Sequence, residues 1–398
     1  MQQYALVTGS YWAFTLTDGA LRMLVVLHFH QLGYSPLEVA LLFLFYEFFG
    51  MVTNLFGGWL AARLGLAATL IAGLFLQVGA LSMLLVDASL LTVGYVMVAQ
   101  AFSGIAKDLT KMSAKSSVRL VAGDTESRLY RWVAVLTGSK NALKGAGFFL
   151  GGVLLAALGF QDAIAAMALA LLFVAVAAAF FTDKHLGKTT FKPKFKHLWS
   201  KSPQINRLSA ARLFLFGARD VWFVVALPVF LQVELGWSSV AVGTLLAAWV
   251  IGYGLVQTMA PAITGTRRGV HPTGLTAVYW GLGLLGIPWV IAWSLYTGIS
   301  AETGVVVGLL LFGAVFAVNS AVHSYLVVAF AEEDGVSLDV GFYYMSNAAG
   351  RLIGTVLSGW VYQAYGFVPC LVVSGTFVAM ATVISLALPR GAALASNR

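Results

Sequence analysis

Residues 64–86, 88–106, 235–266, 303–331 and 352–389 contain no aspartate, glutamate, lysine or arginine. Each run is close to or longer than the roughly 18–20 apolar residues that a helix needs to cross a bilayer. The last is long enough for parts of two helices. In hydrocarbon every backbone N–H and C=O must be satisfied within the structure, so runs of this length read as spanning helices. With 60% hydrophobic and only 10% charged residues, the chain has no stretch left to build a soluble domain. The expectation is an all-α membrane protein. The single cysteine, Cys370, cannot close an internal disulfide and belongs to no metal-ligand spacing. It reads as a small apolar residue, and neither a metal nor a cofactor is expected.

About twelve helices are expected, over 4–31, 36–61, 66–87, 90–117, 128–158, 161–182, 204–233, 238–263, 272–297, 303–331, 338–363 and 366–388. The turns carry breakers: Gly33 to Pro36, Gly159-Phe160, Gly236-Trp237, Gly269 with Pro272, and Gly366-Phe367 with Pro369. Met1-Gln2-Gln3 lacks the basic start of a secretory signal, so the first helix is expected to be retained. Lysine and arginine fall in alternate connections: Arg63, then Arg119 and Arg128, then the basic residues of 184–201, then Arg267 and Arg268, then Arg390. The other connections carry only acids: Glu38, Asp87, Asp162, Glu234 and Glu302. The positive-inside rule then places both termini in the cytoplasm of a bacterial inner membrane. The acidic cytoplasmic stretch Glu332-Glu333-Asp334 with Asp339 departs from the pattern but weighs little in that rule. The formal charge of +8 sits in short loops and inside helices, which gives no surface for nucleic acid.

The chain repeats itself. Leu32-Gly33-Tyr34-Ser35 matches Leu235-Gly236-Trp237-Ser238. Gly50, Arg63 and Gly65 recur as Gly254, Arg267 and Gly269. Asn141, Gly147 and Gly159-Phe160 recur as Asn347, Gly354 and Gly366-Phe367 with a one-residue slip. The reading is two pseudo-symmetric six-helix bundles, 1–182 and 204–398, joined by a basic cytoplasmic linker at 183–203. That linker reads as a solvated tether near anionic head groups. Two such halves around a long central connection resemble the major facilitator superfamily over the whole chain. The loop between the second and third helices adds Gly58-Trp59-Leu60-Ala61-Ala62-Arg63-Leu64-Gly65, similar to that family's G-x-x-x-D-R-x-G motif. Ala62 stands where the motif has aspartate, so the usual carboxylate partner of Arg63 is missing; Glu332 to Asp334 could supply it.

An ionisable group inside a bilayer costs several kcal/mol unless paired or wet, and so marks a functional site by default. Arg22, Lys107, Lys111, Lys140, Lys144, Arg212, Arg219 and Arg351 fall within apolar helices, against four acids, Asp18, Glu47, Asp108 and Asp220. Eight cations less four anions leave an excess of four, a balance suited to an anion. Asp18 and Arg22 are spaced i,i+4 and can form a buried pair. Lys107, Lys111 and Lys115 make one stripe, with Asp108 beside them to neutralise a neighbour. Lys140 and Lys144 share a face next to Asn141. Arg212 and Arg219 share a face at i,i+7, with Asp220 next. Asn319 with His323, and Asn347 with Arg351, are again i,i+4.

Counted inward from the helix ends, Asp18/Arg22, Glu47, Lys107, Lys144, Arg219/Asp220 and Arg351 lie near the midplane, where transporters bind substrate. Lys115, Arg119, Arg128 and Arg131 lie near the cytoplasmic face and can snorkel. The superfamily resemblance puts the charged helices around a central cavity. Arg22, Lys107, Lys111, Lys140, Lys144, Arg219, Arg351, Asn141, Asn319 and Asn347 are therefore the expected substrate-binding set. Asp18, Glu47, Asp108, Asp220 and His323 are the expected charge-pairing or coupling set. His323 titrates near neutrality and is a candidate proton carrier, or equally a hydrogen bond between helices. Gly145, Gly147, Gly151, Gly152, Gly350 and Gly354 read as close helix contacts. Tyr11, Trp12, Phe14, Trp222, Tyr343 and Tyr344 read as packing or an interfacial belt, with cavity walls as the alternative.

Four polar stretches narrow the resemblance: Thr17 to Met23, Ser103 to Lys111, Thr137 to Gly145 and Phe216 to Trp222. They are similar to the ArsJ-type exporters of organoarsenicals. That resemblance implies efflux of 1-arseno-3-phosphoglycerate, the ester formed when glyceraldehyde-3-phosphate dehydrogenase uses arsenate in place of phosphate. Functional coupling to that dehydrogenase and arsenate resistance follow from it. The molecule is polyanionic, in agreement with the cation excess. An organophosphate/phosphate antiporter would use the same clamp and is the alternative. A membrane enzyme lacks a metal cluster or nucleophile–base motif here, and a sensor lacks a signalling module. A cationic-drug exporter needs the opposite charge. A monomer is expected, with the small anion and the lipid bilayer as its partners.

Overall fold

The computed structural model describes residues 2–122, 126–183, 202–265, 272–297, 301–330 and 336–390. Within its helices it leaves out the side chains of 57–59, 61–63, 115–116, 118–122, 126–135, 137, 328, 336–338 and 340. The basic linker at 184–201, Arg267, Arg268, Glu332, Glu333 and Asp334 therefore lie outside the described residues. So do the side chains of Arg63, Lys115, Arg119, Arg128 and Arg131.

Apart from one short 3-10 turn at Ala88–Leu90, every regular element among the described residues is an α-helix. In order they are α1 Gln2–Gln31, α2 Pro36–Leu41, α3 Leu44–Leu64, α4 Leu66–Met83, α5 Val93–Ala122, α6 Glu126–Phe181, α7 Pro203–Phe223, α8 Ala226–Val233, α9 Ser239–Ile263, α10 Gly274–Tyr296, α11 Ala301–Phe330, α12 Val336–Tyr365 and α13 Phe367–Ser385. Eight stretches among the described residues are long and apolar enough to cross a membrane, so the chain is a multi-pass membrane protein. Neither α1 nor α5 nor α12 is among those eight. These three carry Asp18 and Arg22, Lys107 to Lys111, and Asp339 with Arg351.

Two expected helices are broken, and two expected helices are separated by a single kinked residue. The stretch 36–61 divides at Leu42-Phe43, between α2 and α3. The stretch 204–233 divides at Val224-Val225, and here the cause is visible. Proline in a helix lacks its N–H and clashes with the carbonyl four residues back; Pro228 therefore disturbs the turn at Val224. The freed N–H groups of Val225 and Ala226 donate to the Ser358 hydroxyl of α12, at 3.3 and 3.0 Å. Replacing Ser358 by valine is expected to lower stability by about 1–3 kcal/mol, since two buried donors lose their acceptor. The check is the thermal midpoint of purified protein in detergent, with Ser358→Thr as the milder control; an unshifted midpoint in the valine variant would show that the hydroxyl does not hold the break. Conversely, α6 joins two expected helices end to end at Gly159, where φ is +76° and only glycine is comfortable. Gly366, its counterpart in the sequence repeat, has φ +83° between α12 and α13.

The described residues form two compact units. One holds α1, α3 to α6, and α9 as far as Ile251; the other holds α2 as far as Ala40, α7, α8, the rest of α9, and α10 to α13. In the first, α1 packs on α6, α3 on α5 and α4 on both α5 and α6. In the second, α7 packs on α12 and α13, and α10 on α11 and α13. Small residues set the closest approaches. A methyl at Gly19 would stand 2.6 Å from the Lys144 carbonyl, and one at Gly151 the same distance from that of Ala20. A methyl at Gly350 would run into the Leu213 carbonyl, and one at Gly354 would meet that of Gly217 at 2.8 Å. Gly145 and Gly152 lie as close to the start of α9, against the carbonyls of Ala247 and Ser239.

Candidate functional site

In the first unit, apolar helices bring ionisable groups together by their 3.6-residue period. Arg22 of α1 is buried and donates through Nη2 to Glu47 Oε1 of α3 at 2.7 Å. Its guanidinium also lies 4.9 Å from the ring centres of both Phe43 and Tyr46. Asp18, one turn earlier, accepts the Tyr46 hydroxyl at 2.6 Å and lies 3.9 Å from Lys144 Nζ of α6. The structure thus turns both members of the expected Asp18–Arg22 pair to partners on other helices. Only a tertiary contact can select among acids that are all within one helical turn of reach.

Deeper along α5, Asp108 has no exposed side-chain surface and lies between two lysines: Lys107 at 3.7 Å and Lys111, which donates to it directly. Lys111 also donates to Asn54 Oδ1 at 2.6 Å, and Lys107 stands over the Tyr46 ring at 4.1 Å. Space for this cluster comes from Gly50, where a methyl would stand 3.0 Å from Asp108 Oδ2 and 3.1 Å from Lys107 Nζ. Lys140 is half-buried and Asn141 buried on α6, one turn before Lys144.

The second unit holds its own cluster on α7 and α12. Asp220 is fully buried and receives Arg219 on one oxygen, with Nε at 2.6 Å and Nη2 at 2.5 Å. Arg351 Nε reaches the other oxygen at 3.2 Å. Both arginine side chains keep 15% of their surface exposed, while Asp220 keeps none. The carboxylate therefore holds two guanidiniums from the buried side. A third guanidinium, Arg212, lies 3.9 Å from the Phe216 ring, and Arg219 lies 4.9 Å from the same ring. Arg212 donates to Asn347 Oδ1 at 3.0 Å and to the carbonyl and hydroxyl of Ser320, both at 3.1 Å. Tyr253 donates to the same hydroxyl at 3.1 Å. Asn319 and His323 are buried on α11; among the described residues Asn319 Oδ1 and His323 Nδ1 have no hydrogen-bond partner.

Chemically, each cluster is a set of cations anchored by fewer carboxylates. Guanidinium forks suit bidentate contact with phosphate or carboxylate, and lysines offer mobile point charges. Sequence reasoning left Tyr46, Asn54, Phe216, Tyr253 and Ser320 out of the site. A signal did exist for the first two: Glu47, Gly50 and Asn54 recur at helical spacing on α3 beside Tyr46. For Ser320 and Tyr253 there was none, since their place depends on packing between helices distant in sequence.

No curated protein matches this chain. The family model for the Major Facilitator Superfamily matches residues 7–222. That stretch takes in the whole first charge cluster and α7 through Trp222, and it covers more than half of the 398 residues, so the chain belongs to the major facilitator superfamily of membrane transporters.

Proposed function

We propose that this transporter exports a phosphate-bearing organic anion, 1-arseno-3-phosphoglycerate, across the bacterial cytoplasmic membrane by alternating access. Twelve crossings in two six-helix halves, with both termini in the cytoplasm, carry the cycle in this reading. The observation that supports an anion best is the cluster on α7 and α12: two guanidiniums, from Arg219 and Arg351, share one fully buried carboxylate, Asp220, and a third, Arg212, lies against the same Phe216 ring as Arg219. Burying several like charges is costly in a low-dielectric setting unless an anion visits them. A phosphate or arsenate group supplies the acceptor oxygens that forks of this kind match. The particular anion comes from the resemblance of the four polar stretches to ArsJ-type exporters. The ester hydrolyses quickly, so export is coupled in function to the dehydrogenase that makes it.

The test is resistance in cells. Expression should protect against arsenate only while glyceraldehyde-3-phosphate dehydrogenase can form the arseno-ester, and should give no protection against arsenite. Arsenite is a neutral hydroxide at physiological pH and offers the cations nothing to hold. Arsenate resistance that survives loss of the dehydrogenase would rule out the organoarsenical. Exchange of glycerol phosphate for inorganic phosphate, without such resistance, would favour the organophosphate antiporter.

A further inference from the structure

Arg212 differs from the other buried cations in what surrounds it. Every described partner of its guanidinium is neutral: Asn347, Ser320, and the faces of Phe216 and Tyr343 at 3.9 and 5.2 Å. Nε and Nη1 are occupied by these acceptors, and among the described residues Nη2 donates to none. The residue is only 4% exposed. Three hydrogen bonds to neutral acceptors fix the geometry of this buried guanidinium. Its anchors are themselves held: Tyr253 bonds the Ser320 hydroxyl, and Asn347 sits one turn before Arg351 on α12.

The same Phe216 ring touches Arg219 on α7, two turns away. The two guanidinium carbons can be no farther apart than their distances to that ring added together, 3.9 and 4.9 Å. A three-carbon chain bearing an anionic group at each end spans roughly 6–8 Å by standard bond lengths. We infer that Arg212 is the selector for a second anionic head on the substrate. Arg219 and Arg351 hold one head, Arg212 holds the other, and Phe216 packs against the carbon chain between them. The inference rests on the anion-export reading and sharpens it: the substrate class is a short carbon chain with two anionic ends, and a one-headed phosphate is a poor ligand.

The experiment uses purified full-length protein in detergent and equilibrium binding of two probes of equal chain length. 3-Phosphoglycerate carries a phosphate and a carboxylate; glycerol 3-phosphate carries the phosphate alone. Wild type should prefer 3-phosphoglycerate by roughly tenfold or more, as one charge-assisted pair would give. Arg212→Gln should remove most of that preference, and Arg212→Lys, which keeps the charge and loses the fork, should reduce it severalfold. Arg219→Gln should weaken both probes together. A preference unchanged in Arg212→Gln would overturn the inference, whether both affinities fall in parallel or neither moves. If that variant does not fold, an unchanged preference in Arg212→Lys has the same force. Equal binding of both probes by wild type would overturn this inference alone. Binding of neither would overturn the anion reading, and the inference with it.

Discussion

Asp220→Asn is expected to slow net export far more than it slows exchange with substrate on both sides. Asp220 is fully buried and accepts from two arginines on its two oxygens. Asparagine can accept from one guanidinium but turns a donor toward the other, and it removes the negative charge that both arginines contact. Breaking a buried ion pair from one side typically costs about 3–5 kcal/mol. In the proposed cycle the empty carrier bears this cost, because the substrate anion can take over the missing charge while it is bound. The apo protein should therefore melt well below wild type, and added anion should recover more of the loss than it adds to wild type. The inside-negative potential helps an anion leave, at about 2.3 kcal/mol per charge per 100 mV. The proposed cycle then needs no proton, and uniport or anion exchange is the expected mode, with Asp18, Glu47 and Asp220 expected to stand in for substrate between turnovers. Proteoliposomes provide the check. Equal losses of net efflux and exchange would remove the surrogate role, and uphill export that strictly requires a pH gradient at zero potential would favour proton antiport through Glu47 or His323.

Glu47→Ala is expected to produce the second large effect, on stability. It leaves Arg22 buried with the Phe43 and Tyr46 rings and without the 2.7 Å carboxylate. Both ring contacts are already present with the pair intact and offset none of the loss, so a loss of about 3–5 kcal/mol is expected. Glu47→Gln keeps an acceptor and should lose less. The decisive measurement is a double-mutant cycle with Arg22→Met: the double variant should be more stable than Glu47→Ala alone, because an apolar pair carries no uncompensated charge. Strict additivity of the two single changes would show that Arg22 and Glu47 do not depend on each other.

Much of this architecture follows from local properties. Hydropathy over some twenty residues marks spanning helices whatever they pack against. Helical period places Lys107 with Lys111, and Asn347 with Arg351, on common faces without reference to other helices. Gly159-Phe160 and Gly366-Phe367 announce breaks between helices because a positive φ is nearly free only for glycine. The break at Val224-Val225 was also within reach, since Pro228 stands four residues beyond it, but the length of the apolar run concealed it.

The sequence by itself determined which helices carry charge, how many cations and acids they hold, and which of these share a helix face, because those are properties of single segments. The tertiary structure decided which charge meets which. Arg22 reaches Glu47, Lys144 reaches Asp18, and Arg351 reaches Asp220 from a helix more than a hundred residues away. Those meetings depend on the rotation and register of one helix against another. Contacts such as Gly19 against the Lys144 carbonyl and Gly354 against that of Gly217 fix that register. A helix can turn its charged stripe toward any neighbour until the small residues of both surfaces interlock, and spacing along one chain carries no record of that choice.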